Sequence, residues 1–140
     1  MRLSVRNRFP GTVTAVTVGE AMSTVQVRLG GGPAMTAAIT AESARELGLA
    51  AGADVLVLVK STEVALAVGE LPRISIRNRL PGVVTLVERG AAMSTVRIDL
   101  DGGAAATAVI TNDAAEDLGL AVGHRVVALV KSTEVSVALP

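Results

Sequence analysis

Ser4-Val5-Arg6-Asn7-Arg8-Phe9-Pro10-Gly11 returns further along the chain as Ser75-Ile76-Arg77-Asn78-Arg79-Leu80-Pro81-Gly82. Ala21-Met22-Ser23-Thr24-Val25 returns as Ala92-Met93-Ser94-Thr95-Val96, and Lys60-Ser61-Thr62-Glu63-Val64 as Lys131-Ser132-Thr133-Glu134-Val135. The offset is 71 residues throughout, without insertion or deletion, and 38 of the 66 positions paired between 4–69 and 75–140 are identical. Shared composition does not produce identity in register at that level, so the chain is read as a duplicated unit. Apolar positions drift between the copies (Val5/Ile76, Phe9/Leu80, Val27/Ile98), while the Arg, Lys, Ser and Thr of the three blocks do not. Donor-rich side chains kept twice suggest a binder of anions.

The duplication divides the 140 residues into a first unit at 1–68, a linker at 69–73 and a second unit at 74–140. A unit of about 70 residues lies near the lower size for a self-sufficient core. Half of the residues are hydrophobic and the mean hydropathy is +0.54, high for two such small units. Phe9 is the single aromatic residue, so the cores must be Val, Leu, Ile and Ala. This much apolar surface predicts burial between chains. The formal net charge is zero. A protein that grips a polyanion usually carries a basic excess, which disfavours general nucleic-acid binding. The absence of cysteine excludes disulfides, thiolate metal sites and a Cys nucleophile. No cleavable leader is recognised, and no apolar run approaches the ~20 residues of a membrane span. These absences set the expectation of a soluble cytoplasmic protein.

Each copy carries the same pattern. Thr12–Val18 and Ser23–Leu29 alternate polar and apolar, with Val25, Val27 and Leu29 on one face. Gly30-Gly31-Gly32-Pro33 reads as a hairpin turn, and 35–40 as a third strand. Residues 41–49 read as a short helix with Thr40 as N-cap and Gly48 closing its C-terminus. Val55-Leu56-Val57-Leu58-Val59 is apolar on both faces, as in a strand covered on both sides, and Val64–Val68 is a last strand. The second copy repeats this at 83–87, 95–100, 106–111, a helix near 114–118, 126–130 and 135–139. The fold class is therefore mainly β: two tandem small OB-like barrels, each closed and each with one short helix.

A small oxyanion offers acceptor oxygens and negative charge, so its site must supply donors. The first block supplies Ser4, Arg6 and Asn7, with Ser75, Arg77 and Asn78 in the second copy. The third block supplies Lys60, Ser61 and Thr62, with Lys131, Ser132 and Thr133. The middle block, Ala21-Met22-Ser23 and Ala92-Met93-Ser94, follows a turn and can offer backbone amides. The same residues also suit turns and solvated strand ends, a Lys at a strand end discouraging edge pairing and a Ser-Thr pair forming turns. Residue chemistry alone leaves both readings open. Asn-Arg-x-Pro-Gly reads as a loop, Met22 and Met93 as packing residues, and Glu63 and Glu134 as pointing away from any anion or pairing with a base. His124, whose counterpart is Ala53, reads as a surface residue, and the glycine run lacks the Lys-Ser/Thr of a phosphate loop. Nothing supports an enzyme: there is no Ser/His/Asp set and no paired-carboxylate site. No directly coordinated metal cation is expected.

The blocks in their order resemble a known family. Ser-x-Arg-Asn at 4–7 and 75–78, Pro-Gly-x-Val at 10–13 and 81–84, the glycine turn, Ile39-Thr40-x-Glu42-Ser43, Leu47-Gly48-Leu49-x-x-Gly52 and Lys60-Ser61-Thr62-x-Val64 are similar to the molybdenum-pterin-binding (Mop) domain, also called the TOBE domain. Two such units in tandem resemble the di-Mop molbindins. The resemblance implies a cytoplasmic protein for molybdate storage or homeostasis, often binding tungstate, with no organic cofactor. It implies oxyanions held at inter-domain and inter-subunit interfaces of a homotrimer, with no nucleic-acid or membrane partner. It also leaves the alternative of a molybdate-responsive regulatory or assembly module acting on a protein partner. Carried over, Ser4, Arg6, Asn7, Lys60 and Ser61 are anion contacts, as are Ser75, Arg77, Asn78, Lys131 and Ser132. The resemblance also implies that Thr40 and Ser43 contribute hydroxyls to the site of a neighbouring domain. In the second copy Thr111 is kept but Ala114 replaces the serine, which implies unequal sites. Single-strand-binding barrels stack bases on aromatic residues, a platform that one Phe does not provide.

Overall fold

The computed structural model describes residues 2–140. In the first repeat, β1 (Asn7–Val18), β2 (Met22–Leu29) and β3 (Ala34–Thr40) form an antiparallel meander. It is followed by α1 (Ala41–Glu46), β4 (Asp54–Val59), a 3-10 turn (Ser61–Glu63) and β5 (Ala65–Ala67). The second repeat gives β6 (Asn78–Arg89), β7 (Met93–Leu100), β8 (Ala105–Thr111), α2 (Asn112–Asp117), β9 (Arg125–Val130), a 3-10 turn (Ser132–Glu134) and β10 (Ser136–Ala138). Every strand and helix anticipated from the pattern is present.

The alternation in β2 is realised residue by residue: Ser23, Val25, Val27 and Leu29 are buried and the residues between them exposed. Burying each such valine or leucine contributes on the order of 1.5–3 kcal/mol. β1 and β6 begin earlier than the alternation suggests and run straight through Pro10-Gly11 and Pro81-Gly82, which had read as loops. The missing proline donor costs no rung of the ladders with β4 and β9, because Pro10 and Pro81 face the other way, their carbonyls accepting from the N–H of Gly30 and Asp101 (3.3 and 3.0 Å). Gly11 and Gly82 are required by close approach. A Cβ there would lie 2.5 Å from a Val27 methyl and 2.4 Å from the Asp99 carbonyl oxygen, respectively. A register shift at Thr14, and again at Thr85, bends these long strands so that each sheet curls. Thr40 and Thr111 cap their helices, accepting from the N–H of Ser43 and Ala114 (3.1 Å each). Gly48 and Gly119 follow in the left-handed region (φ 60° and 61°). α2 starts at Asn112, ahead of the expected 114.

The sheets are not coextensive with the sequence repeats. Their strand orders are β10-β4-β1-β2-β3 and β5-β9-β6-β7-β8. Each repeat sends its last short strand across to the other sheet: Ala65–Ala67 pairs with β9, and Ser136–Ala138 with β4. The two-faced apolar strands β4 and β9 thereby become interior strands. The expectation of closed barrels is corrected in one respect: β10 comes alongside β3 without a hydrogen-bonded register, so each unit is a curled half-barrel.

Two buried asparagines join the halves. Asn7 Nδ2 donates to the Thr107 carbonyl (2.8 Å), and the Thr107 N–H donates to Asn7 Oδ1 (2.7 Å). Asn78 does the same with Thr36 (2.8 Å and 2.8 Å). Each carboxamide imitates one residue of a neighbouring strand and satisfies the open edge of β3 or β8. The repeats differ beside the helix starts. Ser94 Oγ donates to Asn112 Oδ1 (2.6 Å) and Asn112 Nδ2 to the Gly90 carbonyl (2.9 Å). Ala41 stands in the first repeat where Asn112 stands in the second, and the buried Ser23 Oγ has no partner.

Two outcomes are expected in urea denaturation. Asn7→Ala or Asn78→Ala each orphans a buried N–H and C=O and should lower the unfolding free energy by about 2 kcal/mol. Asn112→Ala, which strips Ser94 of its partner, should cost about 1 kcal/mol.

Candidate oxyanion-binding grooves

The register of β1 with β4 pairs Asn7 with Val59. Arg6 and Lys60, the next residues outward on each strand, are therefore brought to one end of the sheet. β6 and β9 do the same for Arg77 and Lys131, by pairing Asn78 with Val130. Met22 pairs with Thr40, and Met93 with Thr111, at the other ends of β2 and β7. The three sequence blocks thus fall into two groups within a repeat. The exchanged chain then carries the 3-10 turn of the first repeat onto β8, and that of the second onto β3.

One open groove of about 460 Å³ results, lined by Met93, Thr111 and Lys131 of the second repeat and Thr62 of the first. A counterpart of about 240 Å³ brings Lys60 of the first repeat to Thr133 and Ser136 of the second. A third groove, about 560 Å³, lies at the linker and holds Arg73, Ser75, Arg77 and Arg79. Lys60 and Lys131 are exposed and open their 3-10 turns, whose Glu63 and Glu134 N–H groups donate back to the lysine carbonyls (2.9 Å each). Ser61 Oγ is buried without a partner, while Thr62 and Thr133 are exposed and Ser132 half-buried.

The remaining expected residues take varied places. Ser4, Arg6, Ser75 and Arg77 are exposed on the segments that enter β1 and β6. Asn7 and Asn78 are 2% exposed and spend their carboxamides on the opposite repeat. Ala21 and Ala92 accept from the N–H of Ala41 and Asn112 through their carbonyls (2.8 and 2.9 Å). Met22 and Met93 are 47% and 41% exposed, so they do not pack in the core of the single chain. Thr40 Oγ1 lies 2.8 Å from Ser43 Oγ, whereas Thr111 faces Ala114, so the hydroxyl pair exists only in the first repeat. Glu63 and Glu134 form no ion pair with a base, and both are among the residues that line the lysine grooves. His124 is exposed, as expected.

The electrostatics follow from pairing. Among the described residues the ion pairs are Arg89–Glu116 and Arg125–Asp101, neither involving the three blocks. Arg125 forks Asp101 (2.8 and 2.6 Å), and that hydrogen bonding holds the carboxyl below its ordinary range. The Arg and Lys of the blocks are left without a carboxylate to neutralise them. No cluster of His, Cys, Asp or Glu suited to a metal cation occurs among the described residues, and no helix there is long and apolar enough to cross a membrane. Sequence reading passed over Asn112 and the guanidiniums of Arg8 and Arg79. The arginines were detectable, being identical in both copies; Asn112 has no counterpart to flag it.

Comparison with known proteins agrees with this architecture. The TOBE domain pattern matches residues 3–66 and 74–137. A crystal structure of ModG, described as a cytoplasmic molybdate-binding protein with molybdate bound, superposes with a TM-score of 0.97 at 40% identity, over 100% of both chains. The molybdenum-pterin-binding protein MopB of Rhodobacter capsulatus is 45% identical over 100% of this chain and 52% of its own length. The molybdenum transport protein ModE of Herbaspirillum seropedicae is 39% identical over 99% of this chain and 52% of its own. The chain spans about half the length of these curated relatives. With the pattern matched twice and the fold shared end to end, the chain belongs to the TOBE-domain family and carries two such domains in tandem.

Proposed function

We propose that this protein binds molybdate, with tungstate as a close analogue, and serves to store or buffer it in the cytoplasm. The carrying observation is chemical. Two in-register sets of Arg, Lys, Ser and Thr donors lie at the strand ends and in the grooves, none of them in an ion pair, with Glu63 and Glu134 as the acids that share the lysine grooves. A tetrahedral dianion accepts hydrogen bonds and has none to give, which suits such a lining. Neutral overall charge is compatible, because a small dianion needs a few local donors and not a basic surface. No covalent chemistry is involved.

In this reading Ser4, Arg6, Lys60 and Ser61, with Ser75, Arg77, Lys131 and Ser132, provide the anion contacts. Backbone N–H groups at Ala21–Ser23 and Ala92–Ser94 and the hydroxyls of Thr62 and Thr133 supplement them. Asn7 and Asn78 act by holding the repeats together beside the site. The grooves are open in one chain, and further copies in a homotrimer close them over the anion. The exposed Val18, Met22, Leu86 and Met93 supply apolar surface for that association. Thr40 and Ser43 reach into a neighbouring domain, a contact that Thr111 with Ala114 offers only in part. ModG is matched over the whole of both chains and ModE over half of its own, so storage is favoured over regulation.

Three measurements test this. Lys60→Ala with Lys131→Ala should abolish molybdate binding in calorimetry while leaving the unfolding midpoint in place, each lost charged hydrogen bond weakening binding by roughly 1.5–3 kcal/mol. Unchanged stoichiometry and affinity would end the proposal. Ser43→Ala should lower the molybdenum bound per chain in elemental analysis, and Ala114→Ser should raise it. Sedimentation equilibrium should return three times the 14.2 kDa chain mass.

A further inference from the structure

The segments that carry Ser4 and Arg6, and Ser75 and Arg77, precede the first strand of each repeat and have no ladder to hold them. Each is gripped instead from the strand. Arg8 Nε donates to the Val5 carbonyl (2.9 Å) and its Nη2 to the Leu3 carbonyl (2.7 Å). Arg79 Nε donates to the Ile76 carbonyl (3.0 Å) and its Nη2 to the Ile74 carbonyl (3.0 Å). The anion-facing arginine shares the same anchor: Arg6 Nη2 donates to Leu3 O (2.6 Å) and Arg77 Nη2 to Ile74 O (3.1 Å). Two guanidiniums therefore converge on one carbonyl in each repeat, with no carboxylate paired to either. Like charges at one point repel, and the arrangement is preserved by donor geometry and relieved by an anion.

The gripped segment also forms groove wall. Leu3 and Val5 line the groove of Lys60, and Ile76 lines that of Lys131. Arg8 and Arg79 thus set where the wall, the serine and the first arginine stand relative to the lysine. We infer that Arg8 and Arg79 are positioning residues for oxyanion binding. They fold the entry segments 3–6 and 74–77 back on the sheet before an anion arrives, so that part of the ordering cost is met in the empty protein. This rests on the proposed molybdate function and goes beyond it, because it gives Arg8 and Arg79, the latter also on the wall of the linker groove, a role other than contact with the anion.

Geometry separates positioning from simple charge. A lysine keeps the charge but cannot reach two carbonyls with a planar fork. Arg8→Lys/Arg79→Lys and Arg8→Gln/Arg79→Gln are therefore expected to weaken molybdate binding alike, by about tenfold or more. Backbone 15N order parameters in residues 3–6 and 74–77 of the anion-free protein should fall in both variants, with the unfolding midpoint unchanged. Near-normal affinity in the lysine variant, or weakened binding with unchanged order parameters, would assign the arginines to direct charge attraction and overturn the inference. Unaltered affinity in both variants, with the parent still binding, would overturn it while leaving the proposed function intact. Failure of the unsubstituted protein to bind molybdate would remove the functional reading and this inference with it.

Discussion

The outer edges of β4 and β9 carry backbone N–H and C=O groups among apolar neighbours, and the strands that pair with them are supplied by the opposite repeat. A buried backbone group left unpaired costs roughly 1–3 kcal/mol, so neither sheet is complete without the other. The constraint is reciprocal: β5 completes the second sheet and β10 the first. Asn7 and Asn78 extend the same logic to the other edge, closing one residue of β8 and of β3 with a side-chain amide. Exchange and clasp act together to make two units of about 70 residues, marginal by themselves, into one folding unit.

The grooves are a consequence of that exchange. Within a repeat, pairing sends the Arg-Lys group and the Met-Thr group to different strand ends. The crossing chain brings Thr62 to Thr111 and Lys131, and Thr133 to Lys60. A chain with a duplicated sequence therefore builds grooves that belong to neither copy alone. The local departures from symmetry, Asn112 for Ala41 and Ala114 for Ser43, fall at the helix starts, and that of α2 follows Thr111 on the wall of the Lys131 groove. They make the two halves chemically unequal at equal backbone geometry.

Much of this was legible in the residues themselves. Period-two alternation decided β2 and β7, because a pleated strand with one buried face leaves no other pattern. Thr40 and Gly48 marked the ends of α1 through local hydrogen bonding and backbone conformation. The duplicated Arg, Lys, Ser and Thr marked the donor set, since duplication alone reveals which positions resisted drift. Asn7 was read as a donor to an anion because its block is polar. Its burial depends on Thr107, 100 residues away, and nothing local in the chain signals that contact.

Strand number, helix caps and donor inventory follow from interactions between residues close in sequence, and the amino-acid sequence determined them. Which sheet receives the last strand, whether a conserved amide faces an anion or a neighbouring backbone, and which hydroxyl meets which lysine were decided only in the tertiary structure. Identical repeats offer identical local interactions to either sheet, so the choice between them rests on chain crossing, edge satisfaction and burial, which exist only once both halves are folded together.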